Sequence, residues 1–246
     1  MAVQSSSVQN SNVEVSQMAN GIIVATETIP LIESVALGIW VKSGSRSETV
    51  EEHGIAHLLE HMAFKGTGKR TAQQIASDIE NVGGEINAAT SVETTSYYAR
   101  VLNDDVPLAI DILSDILTDS NFDPKELTRE QHVVLQEIGA AHDTPDDVIF
   151  DHFTETAFQQ QTIGRAILGT PESVKRITSA ELQAFINRQY AGERMVVSAA
   201  GARNTVASLL PAELRGAQWV RDILSLELTP CHVGLYLGLM GDIGAA

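Results

Sequence analysis

The 246-residue chain has a single cysteine, Cys231, which excludes an internal disulfide framework and any multi-cysteine zinc knuckle. Basic residues are scarce. Sixteen Lys and Arg stand against 32 Asp and Glu, a formal charge of −16, which argues against nucleic acid or an anionic membrane as the main partner. Such a chain attracts cations instead: basic peptides or metal ions. With 7 prolines and 18 glycines, collagen-like and low-complexity architectures are excluded. No apolar run reaches the ~18 residues expected of a membrane span, and the longest uncharged stretch near the end, Leu228 to Gly241, is too short. The opening residues, Met1 to Ser7, have neither the basic nor the apolar segment of a secretory leader, nor the arginines of a transit peptide. What remains is ample core material: 43% of residues are hydrophobic and only 20% charged.

Residues 1–11 are Ser/Gln/Asn-rich and read as a flexible lead-in. Asn20-Gly21 marks a hairpin between strands at Val13–Met18 and Ile22–Thr26. Ser34–Val41 reads as a buried strand, and helical patterning begins at His53–Phe64. Thr71 with Gln74 forms a capping signal for a helix that Gly83-Gly84 ends. Strands follow at Glu85–Thr90 and Thr94–Leu102, then helices at Val106–Thr118 and Pro124–Ala141, the latter capped by Asp123. Further helices begin near Thr144-Pro145 and Ser179, before a strand at Met195–Ala200. Hairpin-linked strands mixed with clustered helices predict an α+β fold, a largely antiparallel sheet with helices packed on it.

Chemistry is concentrated in His57-Leu58-Leu59-Glu60-His61. At 100° per residue, positions 57, 60 and 61 share one helix face. Two imidazoles one turn apart can close on one metal ion, and zinc suits two nitrogens plus a carboxylate. Glu60 on the same face can act as general base toward a water activated by that metal. The order H-x-x-E-H is the inverzincin pattern. A third protein ligand is needed, and the Pro124–Ala141 helix offers Glu130 and Glu137, seven residues apart on one face. Helix geometry does not choose between them.

The run Gly54 to Thr67 (GIAHLLEHMAFKGT) resembles the signature of the pitrilysin/insulinase metallopeptidases. It is especially similar to the branch of the mitochondrial processing peptidase β-subunit and its bacterial relatives. Further matching segments are Asn81–Ala88, Asp111–Leu117, Arg129-Glu130…Glu137, Phe158–Gly169 and Arg194–Val197, a likeness over roughly residues 12–203. The resemblance implies the half-domain fold of the processing-peptidase type and a Zn2+ cofactor. It further implies His57, His61 and Glu137 as zinc ligands, Glu60 as catalytic base and Glu130 as a glutamate supporting the ligands. Seventy-five residues separate His61 from Glu137, which fits the distal ligand of that family. The strand carrying Glu85, Asn87 and Ala88 resembles the family's edge strand that pairs with extended substrate. Phe64 is expected either to line the pocket beside the scissile bond or to pack in the core. His132, His142 and His152 lie outside the motif and read as structural or solvated.

The resemblance fades after residue 203, so residues 204–246 read as a divergent or truncated tail, with 12–203 as the metallopeptidase domain. Relatives of this kind carry two homologous halves, so a homodimer or a second homologous chain or domain is the expected partner. The expected activity is hydrolysis of peptides or unfolded precursor segments. A non-catalytic peptide-binding or assembly subunit is the alternative. Between Asn103 and Thr156 stand 14 acids and 2 basic residues, read either as solvated helix faces or as an acidic wall that draws in basic substrate. The expected compartment is a bacterial cytoplasm, with the mitochondrial matrix as second option.

Overall fold

A computed structural model of the protein describes residues 13–29 and 31–202. The expected lead-in 1–11 and tail 204–246 lie outside the described residues. The elements run in the order β1 (Val13–Gln17), β2 (Ile23–Thr28), β3 (Ser34–Val41), α1 (Ile55–Ala63), α2 (Ala72–Glu80), β4 (Glu85–Thr90), β5 (Thr95–Leu102), α3 (Val106–Thr118), α4 (Pro124–His142), α5 (Pro145–Ala157), α6 (Pro171–Arg176), α7 (Ser179–Gln189) and β6 (Met195–Gly201).

Six strands form one sheet in the order β1-β2-β6-β3-β5-β4. Every pairing is antiparallel except β2 with β6, which run parallel with Ile23 opposite Val196. The expected α+β class with a largely antiparallel sheet therefore holds. The hairpin at Asn20-Gly21 is present too, with Gly21 at φ +91.

Period-2 patterning decides which face of the sheet is covered. In β3, Val35, Leu37, Ile39 and Val41 are buried while Ala36 is exposed. In β5, Tyr97, Ala99 and Val101 are buried while Tyr98, Arg100 and Leu102 face outward. The covered face joins α2 and α3 in one apolar cluster that includes Ile75, Ile79, Ile112 and Ile116. A second cluster joins α1, α4, α6 and α7 through residues such as Leu58, Leu59, Met62, Val134, Val174 and Phe185. Tyr190 packs against both clusters, and its hydroxyl lies 2.9 Å from that of Tyr97.

Local signals explain most helix starts. Thr71 and Gln74 make the expected capping box on α2, and Asp123 accepts the Lys125 and Glu126 amides at the start of α4. Helix α1 begins at Ile55, two residues later than the sequence pattern indicates. Gly54 sits at φ +91, outside helical geometry, so the regular helix cannot include it. Helix α6 carries its own capping box on Thr170 and is an addition to the sequence reading.

Candidate metal centre and peptide groove

Helix α1 is buried on nearly all sides. Ile55, Ala56, Leu58, Leu59, Met62 and Ala63 are enclosed, and the remaining stripe carries His57, Glu60 and His61. Each enclosed Leu or Met contributes roughly 1.5–3 kcal/mol of burial, enough to fix which way the stripe points. It points at α4, whose Val134 and Ile138 are buried in the same cluster as Leu58 and Leu59.

The seven-residue spacing on α4 separates two different environments. Glu137 Oε2 lies 3.7 Å from His57 Nε2 and 3.6 Å from His61 Nε2. Glu130 is 7% exposed and reaches His61 Nδ1 at 3.1 Å with one oxygen and Lys65 Nζ at 2.9 Å with the other. A carboxylate only accepts, so His61 donates from Nδ1 and turns Nε2 toward Glu137.

The donor atoms of His57, His61 and Glu137 all lie within 4.8 Å of one another, and among the described residues they are the one set of this kind. Glu137 Oε2 is buried without a hydrogen-bond partner. Its two imidazole neighbours are beyond hydrogen-bonding range, while ligand edges around a tetrahedral zinc are on the order of 3.4 Å. A buried, unpartnered carboxylate oxygen aimed between two imidazole nitrogens is costly unless a cation is shared there. The residues present therefore fit a divalent ion, and two nitrogens with one oxygen suit zinc.

Burial and the neighbouring His61 pull the His57 pKa down to about 4. Its imidazole is thus neutral near pH 7, as a metal ligand must be. Burial also raises the Tyr97 and Tyr190 phenols, Tyr190 to about 12, and the Glu60 charge adds to both shifts. Glu60 is half-buried on the same stripe and is not one of the three converging groups.

Among the described residues β4 is the terminal strand of the sheet, with no strand paired to its outer backbone edge. Phe64, Lys65, Glu85, Ile86 and Asn87 line a groove of about 820 Å³ that α2 flanks and that reaches Leu37 of β3 and Tyr98 of β5. Phe64 also packs on the first apolar cluster, 6.4 Å from the Tyr97 ring. Glu85 pairs with Arg100 at 3.6 Å across the strands, and Asn87 is exposed. Ala88 differs: it is 8% exposed and belongs to the core cluster, so only its main chain is offered to the edge.

His132, His142 and His152 are exposed and lie outside the converging set. Of the acids between 103 and 156, several are internal. Asp111 and the 1%-exposed Asp115 pair with Arg70 and Lys69, Glu130 with Lys65 and Glu126 with Arg129. The acidic wall is therefore narrower than the sequence count implies, and its exposed part includes Asp146, Asp147, Asp151 and Glu155 of α5.

One partner escaped the sequence reading: Lys65 follows His61 by one helical turn, a spacing that marks it as a neighbour of the same stripe.

The description of the insulinase family (Peptidase family M16) matches residues 23–171. The chain is similar to the β-subunit of mitochondrial-processing peptidase from Dictyostelium discoideum, 48% identical over 235 residues, covering 93% of this chain and 50% of that protein. That coverage exceeds residues 12–203, so this likeness runs past residue 203. An uncharacterized zinc protease of Rickettsia felis is 42% identical over 190 residues, covering 77% of this chain and 46% of that protein. Among solved structures, a protease from Helicobacter pylori superposes with TM-score 0.75 at 23% identity, over 87% of this chain and 50% of that one, a likeness of fold. The chain spans about half the length of the relatives it matches.

Proposed function

The chain belongs to the insulinase family of peptidases, Peptidase family M16, and from that premise we propose that it is a zinc-dependent endopeptidase acting on peptides or unfolded precursor segments. The observation that carries the reading is the convergence of His57 Nε2, His61 Nε2 and the unpartnered Glu137 Oε2. Those three residues would hold the ion. A zinc ion held there would supply the Lewis acidity that brings the pKa of water from ~16 to ~7.

The other roles fall to the chain's own groups. Glu60, on the exposed stripe of α1, takes the proton of the attacking water and returns it to the leaving amine. Glu130 fixes the His61 ring by accepting from Nδ1. The outer edge of β4 pairs with an extended peptide through main-chain groups, which positions many sequences equally, while Phe64, Glu85 and Asn87 supply side-chain selection.

A second homologous chain or domain, or a second copy, completes the chamber. Two features support this: the relatives are about twice as long, and Ile149, Phe150 and Phe153 of α5 stand exposed. The acids on α5 favour a basic substrate by long-range attraction, screened by salt. We place the protein in a bacterial cytoplasm, with the mitochondrial matrix as alternative. Among the described residues, no helix is long and apolar enough to cross a membrane.

The test is zinc calorimetry together with peptide cleavage. We expect one zinc per chain and a ~10²- to 10⁴-fold loss of rate in Glu60→Gln with zinc retained. Unchanged cleavage in that variant would remove Glu60 as base. Zinc with tight peptide binding but no turnover, at any enzyme concentration, would make the chain a peptide-binding subunit instead.

A further inference from the structure

The loop that precedes α1 holds a carboxylate that the chemistry above does not use. Glu48 is 2% exposed. Its Oε2 accepts the Gly54 amide at 3.0 Å and its Oε1 accepts the Ala56 amide at 2.9 Å. These peptide groups stand immediately before His57, and Gly54 offers no side-chain cap of its own. Free N–H groups in the first helical turn need acceptors, and here one buried side chain supplies two from six and eight residues upstream.

The same corner is fastened from the far end of the chain. Arg165 donates to the carbonyls of Glu48 and Thr49 at 2.9 and 2.6 Å, and the His53 ring lies 2.8 Å from the Ala166 carbonyl. Gly54 and Gly169, both at positive φ, approach so closely that a Cβ on Gly169 would meet Gly54 Cα at 2.8 Å. Arg188 pairs with Glu52 at 2.8 Å. Such fastening sets where α1 begins and hence the rotation of its stripe.

We propose that Glu48 is a positioning residue: its carboxylate fixes the first turn of α1 and thereby aims His57 and Glu60 at the site shared with Glu137. This rests on the metal reading of that site. Burial opposes the charge on Glu48, while the Ala56 and Gly54 amides and Arg165 favour it and Glu52 opposes it; the balance pushes its pKa up to about 7. Once protonated, one oxygen becomes a donor, and one of the two amides loses a full acceptor.

The experiment compares the full chain with its Glu48→Gln variant. Without metal, the amide proton shifts of Gly54 and Ala56 are followed by NMR from about pH 5 to about pH 9, bracketing neutrality. We expect both to move together in the wild type with a midpoint near 7, and to lie upfield and flat in Glu48→Gln. Zinc affinity by chelator competition should fall about tenfold or more in the variant, as for other residues that orient ligands, with the melting temperature held within about 4 °C. Amides indifferent to the substitution, or an unchanged zinc affinity, would overturn the proposal. If the variant does not fold, the wild-type titration decides, and flat amides overturn it. If the wild-type chain binds no zinc, the metal reading fails, while the amide titration still keeps or overturns the Glu48 latch.

Discussion

Helices α1 and α5 are opposites. Six of the nine residues of α1 are buried and its start is fastened by Glu48, whereas none of the thirteen residues of α5 is buried. Yet α5 has apolar residues too: Ile149, Phe150 and Phe153 are 58, 69 and 65% exposed. The difference separates two kinds of information in one chain. Apolar positions of α1 find their partners among the described residues, so its polar stripe is left in one orientation. Apolar positions of α5 are not enclosed in this way, and Ile149, Phe150 and Phe153 leave an exposed apolar face. Large exposed apolar groups rimmed by acids mark interaction surfaces more often than accidents.

The strongest way to sharpen this contrast is a truncation in α1. Leu58→Ala should cost about 2–5 kcal/mol in urea unfolding, because a fully buried side chain leaves a cavity. A cost under about 1 kcal/mol would mean that α1 is not fixed by its packing.

A pH experiment comes next. The folded His57 pKa of about 4 lies below the ordinary 6.5. The unfolded chain therefore binds more protons between those values, and stability present above about 6.5 is lost as pH falls through about 4. The amount is on the order of 3 kcal/mol for the metal-free chain. Glu48 acts in the opposite sense between about 4.5 and about 7, since its folded pKa is raised. Comparison with His57→Gln isolates the histidine slope: a metal-free variant as acid-sensitive as the wild type would refute it.

Smaller again is Glu130→Gln. It keeps an acceptor for His61 but removes the charge that meets Lys65, and zinc affinity should fall about 10- to 100-fold. Calorimetry with equal affinities would leave Glu130 a packing residue only.

At the bottom of the scale, Phe150→Ser and Phe153→Ser should shift stability of the isolated chain by no more than about 0.5 kcal/mol. Their effect should appear instead in the native mass, as loss of any second copy or homologous partner. A large stability loss would show that α5 is packed after all.

Much of this was legible in the sequence, and the reasons are local. Thr71 with Gln74, Asp123 before Pro124, and the alternation in Ser34–Val41 each write their structure within a few residues. The stripe of His57, Glu60 and His61 followed from helical period alone. The choice between Glu130 and Glu137 did not, because it depends on how α4 is rotated against α1, which Val134 and Ile138 decide by packing. For a related reason, alternation in β4 assigns faces but does not say which face meets the core, where the Ala88 side chain lies. The role of Glu48 depends on a loop folding back onto a helix end, and the parallel pairing of β2 with β6 joins segments about 170 residues apart; neither leaves a local trace.

That parallel pairing has a consequence for assembly. β6 lies between β2 and β3, so the middle of the sheet is filled by the last strand described. Until residues 195–201 leave the ribosome, β2 and β3 each present a bare ladder to solvent, and the ends of a very long loop must still meet. Folding of this unit is therefore a late, cooperative event during synthesis. Chains interrupted before Met195 expose two sticky edges at once, which makes them candidates for aggregation or for degradation.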